Sequence, residues 1–99
     1  MIKFRITEEM EPELVKNDRG EWRLISSNEG CVHVYAGFGS EDILIITLAG
    51  MQDGTVSILA ALSACDSPVF CLTRTMHESQ AEKSLNEMLE VLLTYPEQL

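Results

Sequence analysis

Basic side chains are scarce in this sequence. Lysine and arginine together number 7 against 16 aspartates and glutamates, a net charge of −9 with histidine neutral. The deficit is spread along the chain: residues 1–50 hold five basic and nine acidic side chains, and residues 51–99 hold two and seven. No basic tail or cluster is there to neutralise phosphates, so direct nucleic-acid binding is not expected. Long apolar runs are missing too. The longest, Ile43 to Leu48, falls far short of the ~20 residues a membrane helix needs, and no membrane partner is expected. Met1-Ile2-Lys3-Phe4 has neither a signal-type apolar core nor a small-residue cleavage site. The expected location is the cytoplasm. Cysteine occurs only at positions 31, 65 and 71. An odd count without metal-type spacing predicts reduced thiols rather than a disulfide framework.

Catalytic motifs are equally sparse. His33, His77 and the cysteines stand at no zinc-ligand spacing, so neither a metal nor a cofactor is expected. There is no nucleophile elbow. Gly37-Phe38-Gly39 is too short for a phosphate loop, and the apolar run after it reads as a strand rather than as the helix such a loop requires. An enzyme acting through Cys31 or Cys65 is the weakest reading, because free cysteine in an apolar run is commonly a small buried hydrophobe. The protein is therefore read as non-enzymatic. Glu8, Glu9, Glu11 and Glu13 read as solvated surface.

What the chain does have is apolar patterning: 45% apolar and 23% charged residues, ordinary for a folded domain. The whole of 1–99 is one domain. Ile2, Phe4 and Ile6 alternate with polar residues and predict a half-buried strand. Pro12 limits the turn after it, and Glu13–Lys16 reads as a short second strand. Asn17-Asp18-Arg19-Gly20 and Ser26-Ser27-Asn28-Glu29-Gly30 are turns, and strands at 22–25 and 31–36 follow them. Val32, Val34 and Ala36 share one face of the latter strand. Lys3, Arg5, Arg23, His33 and Tyr35 are expected on the sheet face turned away from the helices. Ile43–Leu48, apolar on both sides except at Thr47, predicts a central covered strand.

Two helices are expected. Asp53 would N-cap the first, at about 54–65, which buries Val56, Ile58, Leu59 and Leu62. Val69–Thr73 would follow as a strand parallel to 43–48. The second helix would begin at a capping box, Thr75-Met76-His77-Glu78, and end at Tyr95-Pro96, with Ala81, Leu85, Met88, Leu89 and Leu92 on its apolar stripe. The predicted fold is α+β. A mostly antiparallel sheet of about five strands contains a β-α-β unit at 43–73, and two helices pack on one face.

Two functional readings follow. In the first, the protein is a small acidic interaction module of inhibitor, immunity, phage counter-defence or adaptor type that binds a basic protein surface. Its binding residues are Glu78, Glu82 and Glu90, on the polar side of the last helix, where Lys83 is the one cation. A homodimer is compatible with this reading. The alternative places a ligand at Gly50-Met51-Gln52-Asp53-Gly54, through Gly50, Asp53 and Gly54, where a helix start would offer N–H groups to an anion. In outline this strand–turn–helix–strand stretch, about a third of the chain, resembles the beginning of an ACT regulatory domain. The resemblance implies an amino-acid ligand at that turn and a small-molecule-sensing role. The chain departs from that family where 69–73 runs straight into the last helix.

Overall fold

The computed structural model describes residues 2–16, 22–28, 32–37, 42–63 and 69–98, without the side chains of Asn28 and of 94–98. In chain order these form β1 (Lys3–Ile6), β2 (Pro12–Lys16), β3 (Trp22–Asn28), β4 (Val32–Gly37), β5 (Ile43–Gly50), β6 (Thr55–Ser63), β7 (Phe70–His77), a 3-10 turn at Glu78–Gln80 and helix α1 (Ala81–Gln98). β3 to β7 make one five-stranded sheet in the order β3-β4-β5-β6-β7, and β1-β2 is a separate hairpin. Every pairing is antiparallel. The fold is thus α+β and mostly antiparallel. Among the described residues no helix is long and apolar enough to cross a membrane.

The central correction concerns 54–65. Within it Thr55–Ser63 form not a helix but β6, so the expected β-α-β unit at 43–73 is replaced by an antiparallel meander, and among the described residues one long helix follows it. The reason lies in the turn. Gly54 N–H donates to Met51 O (3.3 Å) and Met51 N–H to Thr55 O (2.9 Å), which closes a tight hairpin loop. Gly54 takes the positive φ of 83° that such a loop demands at its last position. Beyond it, Thr55-Val56-Ser57-Ile58 alternates with period two. Val56, Ile58, Ala60 and Leu62 are buried on one face. The apolar count suited a helix, but the Asp-Gly turn and the alternation belong to a strand. Thr7–Glu11 closes the same type of loop between β1 and β2, with Met10 at φ 59° in the place Gly54 holds in the other loop.

The hairpin β1-β2 and helix α1 together cover one face of the large sheet. Into this layer point Tyr35 of β4, Leu44, Ile46 and Leu48 of β5, and Val56, Ile58, Ala60 and Leu62 of β6. From above come Phe4, Ala81, Leu85, Met88, Leu89 and Leu92, all in one buried cluster. The faces of β4 are therefore the reverse of the expectation. His33 and Tyr35 are buried on the covered side, while Val32, Val34 and Ala36 lie on the open one. Specific contacts explain the reversal. The Tyr35 ring meets Phe4 edge-on at 5.1 Å, and its hydroxyl donates to Pro12 O at 3.0 Å. His33 Nδ1 lies 3.1 Å from Ser27 Oγ. Lys3, Arg5 and Arg23 are exposed.

The last helix differs in its ends. Thr75 belongs to β7, and His77 makes the cap: its Nδ1 accepts from Ser79 N–H at 3.1 Å. The helix also runs past Pro96 to Gln98, although proline contributes no N–H to the ladder. Ser26 to Asn28, expected to open a turn, instead extend β3 and pair with β4. The turn at 17–20, Glu29, Gly30, Gly39, Cys31 and Cys65 lie outside the described residues.

Candidate functional site

The acidic side of α1 is built by the same residues that attach it. Leu85, Leu89 and Leu92 face the sheet, so the i, i+4 row Glu78, Glu82, Asn86, Glu90 runs along the helix flank. That flank lies beside β1, not opposite the core in open solvent. Glu82 Oε1 accepts the Ile6 N–H at 2.9 Å, and Asn86 bonds both backbone groups of Phe4. Two members of the row therefore close the edge of β1, whose N–H groups would otherwise lack ladder partners on that side.

Two shallow depressions flank this line. One, of about 460 Å³, is lined by Ile2, Lys3, Glu82, Lys83, Asn86, Glu87 and Glu90. The other, of about 400 Å³, is lined by Ile6, Thr7, Glu8, Met10, His77, Glu78, Ser79 and Glu82. Glu82 borders both. The predicted residues Glu78, Glu82 and Glu90 thus border one continuous surface, all three exposed. Glu8 joins them from the β1-β2 loop, which the sequence did not connect to this helix. Lys3 and Lys83 interrupt the acidic line. Nearby, Arg5 pairs with Glu13 at 2.7 Å, and this hydrogen bond and charge, together with the field of Glu82, hold the guanidinium still more firmly protonated. Glu87 reaches the other way and meets Arg74 of β7 at 3.3 Å.

The turn at 50–54 has a different character from the one expected. It joins two strands, so the helix N-terminus that would attract an anion is absent. The Asp53 carboxylate is occupied within the loop, accepting from Thr55 Oγ1 at 2.6 Å and Thr55 N–H at 3.2 Å. Those bonds hold it below the usual carboxylate range. A Cβ at Gly50 would meet nothing within 4 Å, so Gly50 does not make room for a neighbour. The outline of an ACT domain goes with the missing β-α-β unit.

Among the described residues, no group of three or more His, Cys, Asp and Glu side chains is placed to hold a metal ion. The Asn86 grip on Phe4 is the contact that sequence reasoning missed. Its only signal is an asparagine in mid-helix, where the residue is disfavoured unless its amide has work to do. The chain matches no protein-family model, no curated protein and no solved structure.

Proposed function

We propose that the protein is a non-enzymatic interaction module that offers the flank of α1, through Glu78, Glu82 and Glu90, to a basic protein surface. The observation that carries this reading is the mainly acidic lining of the two depressions beside α1, which meet at Glu82 and which Glu8 and Glu87 also line, with Lys3 and Lys83 as the interruptions. A chain of net charge −9 would be steered toward a cationic partner, and the steering would weaken as salt screens it. An inhibitor, immunity, counter-defence or adaptor role in the cytoplasm suits such a surface, and the exposed free thiol of Cys71 fits a reducing compartment.

The test begins with capture of a partner from the native cell and its identification by mass spectrometry. Association kinetics at two ionic strengths then compare the wild type with a Glu78→Gln, Glu82→Gln, Glu90→Gln variant. Glutamine keeps an amide oxygen that can accept the Ile6 N–H, so the attachment of β1 survives. The expected result is a slower on-rate and a flatter salt dependence. An unchanged on-rate would mean that this flank only keeps the protein solvated.

A further inference from the structure

The five-stranded sheet has two faces, and the described residues cover one. The other is apolar at its centre. The register sets its side chains in rows across the strands: Val34, Ile45, Ala61 and Cys71 form one row, and Val32, Thr47, Leu59 and Thr73 the next. Ala36, Ile43 and Ser63 form a third. Among the described residues paired in the sheet, this face carries no carboxylate, although the chain has 16. Among those same residues its one permanent charge is Arg23, on the edge strand β3. An antiparallel sheet with one face in water normally alternates apolar with polar residues. β5 does not: Ile43 and Ile45 point outward between the buried Leu44 and Ile46, and they are only half-buried.

We propose that this open face is a self-association surface, occupied by a second copy of the same chain in a face-to-face sheet dimer. Charge favours that occupant. Two copies of net charge −9 repel wherever their carboxylates meet, and the described residues paired on this face bring none together. A two-fold contact requires a self-complementary patch, and a sheet face apolar around β5 stacks on its own copy as aligned sheets do in sandwiches. Size agrees as well. Four strands at ~4.8 Å spacing and about eight residues at ~3.4 Å give a footprint of roughly 500 Å². Counted on both partners that is roughly 1,000 Å², the size at which specific interfaces begin. The acidic flank of α1 stands on the opposite layer, so this proposal is independent of the partner reading above.

The experiment measures the mass of the full chain by light scattering and sedimentation over a range of concentrations. The expected species is a dimer, in which Cys71 reacts more slowly with a thiol reagent than in dilute protein. Ile45→Lys should give a folded monomer. Ile45→Thr, which keeps a β-branched side chain, should raise the dimer Kd by about tenfold or more and stands in if the lysine variant does not fold. Val91→Lys, at an exposed position of α1, should leave the dimer intact. A wild type that stays monomeric at high concentration overturns the proposal. So does a dimer whose Kd neither substitution at Ile45 changes.

Discussion

The side chain of Asn86 holds the backbone of Phe4 at both of its polar groups. Nδ2 donates to Phe4 O at 2.8 Å and Oδ1 accepts Phe4 N–H at 2.9 Å, across 82 positions of sequence. In effect a helix side chain takes the place of a neighbouring strand for one residue of β1. Net hydrogen bonds of this kind contribute ~0.5–1.5 kcal/mol each, and a desolvated group left unpaired costs more. Asn86→Ala should therefore destabilise the fold by about 1–3 kcal/mol. Asn86→Asp, which keeps the acceptor and loses the donor, should also be destabilising. Urea midpoints check both, and a loss below ~0.5 kcal/mol for the alanine variant would contradict the role given to this contact.

The two matching loops make a controlled comparison. Gly54 and Met10 occupy the same left-handed position in each. A Cβ at Gly54 would lie 3.7 Å from His77 Nε2, an ordinary contact, so space is not the obstacle. The backbone is. Gly54→Ala should cost ~1–2 kcal/mol. Met10→Gly should change stability by less than ~1 kcal/mol, because relief of the φ strain is opposed by lost packing of a half-buried side chain. Thermal unfolding of the pair decides it. Equal losses at both sites would show that side-chain packing, and not backbone conformation, governs these loops.

Burial, with a smaller contribution from Glu11, pushes the Tyr35 hydroxyl up from 10.0 to about 12. The neutral phenol is thus favoured in the folded state. Its stabilisation is fully present below the unfolded value near 10 and is lost as pH rises toward 12. The full effect is at most about 2–3 kcal/mol. The wild type should lose stability between about pH 10 and about pH 12 more steeply than Tyr35→Phe, in which this group cannot ionise. Parallel slopes for the two proteins would show that Tyr35 is not the titrating group.

The Arg74–Glu87 pair joins β7 to α1, yet both side chains are about half exposed, at 47% and 51%. An ion pair so open to water contributes ~0–1 kcal/mol. A double-mutant cycle with Arg74→Met and Glu87→Gln should give a coupling under ~1 kcal/mol that fades in high salt. A larger, salt-resistant coupling would mean that this pair helps to fix the helix on the sheet.

The helix α1 was legible because its signal is long and local. Ala81, Leu85, Met88, Leu89 and Leu92 keep a helical period over several turns, and all five are buried. Leu62 shows the opposite case. It is buried at 4% exposure, as its apolar character suggests, but it projects from a strand between Leu44 and Phe70. A short apolar stretch such as Ile58-Leu59-Ala60-Ala61-Leu62 fits either period, so its own composition cannot decide. Asp53-Gly54 and the alternation after it are the residues that decide. The acidic row on α1 was legible as a row but not as an attachment. That Glu82 and Asn86 meet β1 depends on tertiary packing, and no spacing within the helix encodes it.

The meander order has a kinetic consequence. Each pairing in the large sheet closes between strands that are neighbours in the chain, and such short loops are quick to form. The docking of β1 against α1 has no such advantage, because it must bring together groups some 80 positions apart. This junction should form after the folding barrier, on the downhill side. Substitutions at Asn86 should then speed unfolding and leave the folding rate nearly unchanged, while substitutions in the turn at Gly54 should slow folding itself. The seam between the first strand and the last helix is where the native protein would begin to open.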